Sequence, residues 1–312
     1  MKTRMGSITA IALASALVLF AVSVAPAIAQ PAPPAPYVVN GYVFYEDVTA
    51  CNAPIVEVNN TNTSNTWLAE NGTGTNYYEL VLTNGTDVNM SEVLQFDARD
   101  PAATQFNRTS HEVTQDELDN GGIVNFNLTL KVPTVTTYDF TTGAGSDKWA
   151  YRFQVDANPP ATSDVPGIVF ITSTNPRRDQ YGKISRDDGT MQSDSTTNLG
   201  WYAAHRFVFK IAEQPVKIQK IEILWNGIGA HADRSAIQGA TLYIWNGAGY
   251  EELATTTVKT EVYLIAERTA GIGNYLDATG NMTILVVQNS PHAGKKVSKI
   301  STDFVKVDIT HT

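Results

Sequence analysis

Residues 221–227, IEILWNG, and residues 242–247, LYIWNG, each carry an apolar run into a tryptophan and then into Asn-Gly. Asn-Gly accepts the positive backbone angles of a tight hairpin, and a short apolar run before it reads as a strand. Strands are therefore expected at 216–225 and 240–245, closed by turns at Asn226-Gly227 and Asn246-Gly247. Outward from this pair, β-branched and aromatic runs predict further strands at 149–155, 168–172, 206–211, 261–267, 282–288 and 304–309. Helical periodicity is nearly absent, so residues 137–312 read as a jelly-roll-like β-sandwich.

The upstream part is also strand-like but shorter in its period. Residues 37–39 and 42–45 flank the turn-prone Asn40-Gly41; runs at 55–58, 77–82 and 93–96 follow, and 123–132 alternates polar and apolar residues. Thr114-Gln115-Asp116-Glu117 has capping-box spacing and predicts one helical turn. Residues 37–132 thus read as a small β-sandwich. The fold expected is all-β: two tandem β-sandwiches, the second jelly-roll-like.

Charge separates the two parts. Residues 31–136 hold thirteen acidic against three basic side chains, and residues 137–312 hold eighteen against seventeen. Surfaces this different face different neighbours, and the net charge of -9 argues against a nucleic-acid partner.

The chain opens with Lys2 and Arg4, runs apolar from residue 8 to 24 and reaches Ala27-Ile28-Ala29. That pattern predicts a secretory signal peptide at 1–29, followed by the extended proline-rich spacer QPAPPAP at 30–36. No transmembrane domain is expected after cleavage; an uncut signal would serve as an anchor. The lone Cys51 excludes an intrachain disulfide and leaves two readings, burial or pairing with another chain.

Acceptors for N-linked glycans stand at Asn59, Asn62, Asn71, Asn84, Asn89, Asn107, Asn127 and Asn281. Seven of these eight fall in the first part, which predicts a glycan-decorated, acidic sandwich outside the membrane.

No nucleophile elbow, zinc-binding helix, phosphate loop or dinucleotide glycine pattern is present in the sequence, so no catalytic residue is assigned and a non-enzyme is expected. Calcium is the cofactor to weigh. Asp187-Asp188-Gly189-Thr190, with Asp194 nearby, either wraps carboxylates round an ion or forms an acidic turn in which Gly189 supplies the positive angle. Asp147, Asp156, Asp179 and Asp303 join such a site only through tertiary contact. Trp201 and Trp245 are either a platform for sugar or packed side chains. His231 and Asp233 lie on a glycine-rich loop suited to recognition, and Arg177-Arg178 is a candidate contact for an acidic neighbour.

Residues 39–45 (VNGYVFY), 67–70 (WLAE), 77–82 (YYELVL) and 121–128 (GGIVNFNL) resemble prealbumin-like modules in surface proteins of methanogen-related archaea. Residues 147–152 (DKWAYR), 202–207 (YAAHRF) and 242–247 (LYIWNG) resemble a module that recurs in archaeal surface-layer-associated proteins. The resemblance implies a structural or adhesive role and no particular reaction. Many such proteins carry a carboxyl-terminal anchor; here retention by partners or by the uncut signal is expected instead. The expectation is an extracellular, glycosylated structural protein that assembles with copies of itself or with other surface proteins, the alternative being a carbohydrate-binding or adhesive module.

Overall fold

The computed structural model describes residues 35–163 and 167–312. The expected signal peptide and residues 30–34 of the spacer lie outside them. The first part contains β1 (Pro36–Tyr45), β2 (Ile55–Asn60), β3 (Asn65–Leu68), β4 (Glu70–Asn71), β5 (Tyr77–Thr83), β6 (Val93–Arg99), β7 (Phe106–Glu112), α1 (Gln115–Asn120), β8 (Gly122–Ile123) and β9 (Leu128–Leu130). One sheet runs β4-β5-β1-β8 with β9 also on β1, and a second runs β3-β2-β6-β7. Their inward residues, among them Tyr37, Val39, Val58, Tyr78, Leu94 and Phe96, form one buried core that also takes in Cys51.

Asn40-Gly41 is not a turn. β1 runs straight through it, pairing with β5 from Pro36 to Tyr42, and its buried parity continues through Gly41 to Val43. A Cβ on Gly41 would lie 2.1 Å from the Phe126 carbonyl oxygen. The glycine is there because another backbone crosses it closely. That crossing also breaks the strand expected at 123–132: Asn125 adopts φ 59°, its N–H donates to Asn40 Oδ1 at 3.1 Å, and the alternation resumes only at Leu128. Val124, which the alternation would have buried, is exposed as a result. The predicted helical turn is α1, with Thr114 and Glu117 forming both halves of the capping box.

The second part adds β10 (Thr134–Asp139), β11 (Lys148–Val155), β12 (Ile168–Val169), β13 (Gln192–Ser195), β14 (Tyr202–Lys210), β15 (Ile218–His231), β16 (Ala240–Trp245), β17 (Tyr250–Thr255), β18 (Val262–Arg268), β19 (Asn281–Gln288) and β20 (Ser298–His311). They form a sheet β10-β20-β15-β18, with β13 also on β20, and a six-stranded sheet β12-β11-β14-β19-β16-β17. Phe207, Phe209, Ile284 and Val286 from one sheet meet Ile223, Trp225, Val305 and Val307 from the other in a second buried core. The described residues are thus mostly β, in four sheets around two principal cores.

Asn246-Gly247 does close the β16–β17 hairpin, where the Asn246 carboxamide accepts the Gly249 N–H at 2.9 Å. Asn226-Gly227 does not. β15 continues through it to His231, and the register against β20 slips there, Asn226 facing Phe304 and Gly227 facing Thr302. The slip leaves Asp303 as the extra residue of a β-bulge, a device that bends a strand and re-aims a side chain.

Residues Ala35–Thr312 cluster as one unit. Arg108 on β7 links the parts, pairing with Asp97 on β6 and donating from Nη1 to the Ile218 carbonyl at 2.9 Å. Among the described residues no helix is long and apolar enough to cross a membrane.

Candidate acidic centre and the surrounding site residues

The bulge explains the most unusual chemistry in the molecule. Asp303 projects from it with no solvent exposure, and its Oδ2 accepts the Gly189 N–H at 3.0 Å. Gly189 sits at φ 79° in the loop that carries Asp187 and Asp188, supplying the positive angle read from sequence. On the facing strand Asn226 is also fully buried and donates from Nδ2 to Asp187 Oδ1 at 2.7 Å. Tyr263 on β18, beside Asn226 in the register, donates its hydroxyl to Asp187 Oδ2 at 2.8 Å. Glu261, just before β18, completes a trio with Asp187 and Asp303 in which one carboxylate oxygen from each residue lies within 4.8 Å of the other two. Burial, reinforced by the charges of Glu261, Asp187 and Asp188 and opposed by the Gly189 amide, pushes the Asp303 carboxyl up to about 6.

Sequence reasoning found Asp187 and Asp188 but not Glu261 or Asn226, and it grouped Asp194 with them. Asp194 lies elsewhere. It stands on β13, where Oδ2 is 3.0 Å from His205 Nε2 and 2.7 Å from the Gln192 amide that donates to it, while Arg152 donates to Oδ1 at 3.2 Å. Only Asp303, of the four further carboxylates considered, joins the Asp187 group.

The Asp194 carboxylate belongs to a buried chain. Trp225 Nε1–H donates to Thr302 Oγ1 at 2.9 Å, and that oxygen lies 2.9 Å from His205 Nδ1, so a consistent donor order runs Trp225, Thr302, His205, Asp194. The residue types are those of a nucleophile relay, but His205 and Thr302 are fully buried and the chain ties β13, β14, β15 and β20 together. Burial raises the Asp194 carboxyl, yet the interaction with His205, with the Gln192 and Arg152 bonds, outweighs it and holds Asp194 at about 2, below its ordinary 3.8. A carboxyl lowered on folding stabilises the fold above its unfolded value, and that contribution is lost as pH falls through the folded one. The stability gap between the wild type and Asp194→Asn is therefore expected to be pH-independent above pH ~5 and to shrink by about 2 kcal/mol between pH ~4 and ~2. Urea denaturation across that range measures it, and a gap that stays flat would rule the charge out as the cause.

The other candidate residues are dispersed. His231 is buried, with Nδ1 accepting the Asp233 N–H at 3.1 Å and Nε2 3.1 Å from the Pro291 carbonyl, so it braces its own loop. Asp233 Oδ1 accepts from the Ser235 N–H and hydroxyl. Trp201 and Trp245 are half-buried; Trp245 packs edge-on against Tyr250 at 5.2 Å, and Tyr250 against Tyr243 at 6.3 Å. Arg177 and Arg178 are exposed. Among the glycan acceptors, Asn62 and Asn127 are exposed and use Oδ1 to accept the Val93 and Tyr42 N–H groups, leaving Nδ2, the atom that carries a sugar, directed to no partner. The Nδ2 groups of Asn71, Asn84, Asn89, Asn107 and Asn281 instead donate to oxygens of the protein. Asn59 is half-buried with a partnerless Oδ1.

Residues 145–311, which hold the acidic centre and the His205 chain, match the family model AF_1625_C, described as "Uncharacterized protein, C-terminal domain". The chain belongs to that family. An Archaeoglobus fulgidus protein, itself described as uncharacterized, is 30% identical over 132 residues, 41% of this chain. The match spans 22% of that relative's length. The relative is archaeal, as the resemblance read from sequence implied. Of solved structures, the major pilin subunit of Bacillus cereus superposes with a TM-score of 0.22 and 9% identity over 89% of this chain and 59% of the pilin. A SusE-like protein gives 0.26 and 8% over 88% and 97%. Superpositions this loose carry no argument about this AF_1625_C member.

Proposed function

We propose that the chain is an extracellular, N-glycosylated structural protein of an archaeal cell surface that assembles with further copies of itself and catalyses no reaction. In this reading it comprises two tandem β-sandwiches, residues 37–132 and 137–312, the first prealbumin-like and the second jelly-roll-like. One observation carries the assembly: β12 is the outer edge of the six-stranded sheet, and its two residues, Ile168 and Val169, are 60% and 46% exposed. An apolar sheet edge without charge or proline on it is a template for another strand. Exposed Arg177 and Arg178, a few residues on, suit the acidic first sandwich of a neighbour and would set register more than strength.

The proline-rich spacer is a poor donor of such a strand, because its continuation from Pro36 already pairs with β5 inside the same chain. The competing reading, a carbohydrate-binding or adhesive module, needs open faces on Trp201 and Trp245, and the half-burial of both rings does not favour it.

Placing lysines at both edge positions, Ile168→Lys with Val169→Lys, buries nothing new in the monomer but puts charge where a neighbouring strand must dock. The double variant is expected to raise the concentration needed for assembly roughly tenfold or more while its circular dichroism spectrum stays that of the wild type. Light scattering reads the result. Equal assembly by wild type and variant would remove β12 as the contact.

A further inference from the structure

We propose that Asp187, Glu261 and Asp303, with the side-chain oxygen of Asn226, form a binding site for one calcium ion. The site is independent of the assembly reading. Two oxygens on opposite sides of one calcium ion lie about 5 Å apart, and one oxygen from each of the three carboxylates already lies within 4.8 Å of the other two. Acidic residues gather on many surfaces without an ion, so the second observation decides. Asp303 Oδ1 and Asn226 Oδ1 are both buried with no hydrogen-bond partner, on side chains with no solvent exposure, and both side chains touch the Asp187 loop directly. Buried oxygens of this kind are almost always satisfied by protein, water or an ion. A divalent cation would give both oxygens a partner and offset the repulsion among three like charges held together.

The donors are all oxygen, with neither histidine nor cysteine in the group, which selects a hard cation. They come from a loop, a strand end and a bulge, with Asp187 and Glu261 open to solvent, so water can complete an irregular shell of six to eight ligands. Such irregularity suits calcium better than magnesium, which demands near-octahedral geometry. Bound there, the ion would fasten the Asp187 loop and the start of β18 to β20.

The full chain, stripped with EDTA, is titrated with calcium chloride by calorimetry and with terbium, whose luminescence Tyr263 would sensitise through its contact with Asp187. One site per chain is expected, with a dissociation constant on the order of 10⁻⁴ to 10⁻³ M, as in other extracellular calcium modules. Glu261→Gln changes an exposed residue and cannot fail for want of folding; it and Asp187→Asn are each expected to weaken binding at least about tenfold. Asp303→Asn is expected to lose binding yet melt higher than wild type in EDTA, because a buried like charge is gone. Absence of heat and luminescence at ~10 mM metal, titrations unchanged in Glu261→Gln and Asp187→Asn, or magnesium bound as tightly as calcium would overturn the assignment.

Discussion

Truncation of Trp225 to alanine is expected to cost the second part of the chain about 3–5 kcal/mol. The side chain is among the largest fully buried in the protein and sits where Phe207 and Ile284 of one sheet meet Val305 and Val307 of the other, so its removal leaves a cavity that rigid strands cannot close. The loss is compounded because the indole N–H is the first donor of the chain through Thr302 and His205 to Asp194. Without it the Thr302 hydroxyl stays buried with one bond fewer. Trp225→Phe separates the two contributions: it keeps most of the apolar volume and loses the donor, and should cost about 1–3 kcal/mol. Urea denaturation followed by far-ultraviolet circular dichroism measures both. Equal costs for the two variants would mean that the polar chain, rather than packing, holds the core at this point.

Gly227→Ala is expected to be as damaging although it adds one methyl group. The new Cβ would lie 2.1 Å from the Ser301 carbonyl oxygen and 2.4 Å from the Trp225 ring. Neither neighbour is a flexible side-chain end: the carbonyl belongs to the long β15–β20 pairing and the ring is locked in the core. The strands must separate or the bulge must move, at about 3 kcal/mol or more. Because the bulge sets where Asp303 points, the variant should also lose terbium luminescence at any metal concentration where it remains folded. Retained stability together with retained luminescence would show that the bulge tolerates a side chain.

The contrast between Asn226-Gly227 and Asn246-Gly247 shows where sequence is informative and where it stops. Both follow an apolar strand and a tryptophan, and turn chemistry describes both equally well. What separates them is the partner: β20 is long enough to continue alongside β15 past the glycine, whereas nothing extends β16 beyond Trp245. The same holds at Asn40-Gly41, whose glycine answers to Phe126, a residue far away in sequence. Central strands were legible because both their faces are apolar; β13, whose sequence is Gln-Ser-Asp-Ser, was not, since a polar edge strand is indistinguishable from a loop until β20 lies beside it. In the acidic centre, Asp187 and Asp188 were visible as a loop pair. Glu261, Asn226 and Asp303 come to them from three strands' worth of chain, and Asp194, only seven residues from Asp187, leaves on β13 toward His205. A glycine after asparagine inside a long apolar run is the one local sign of a bulge that the sequence offered.

The proposal of an assembled, glycosylated protein is tested most directly by electron microscopy of the native extracellular fraction, with the intact mass of the protein determined on the same sample. Ordered filaments, tubes or lattices built from a chain heavier than its polypeptide by the mass of its sugars are expected. A monodisperse monomer at the bare polypeptide mass would contradict the account.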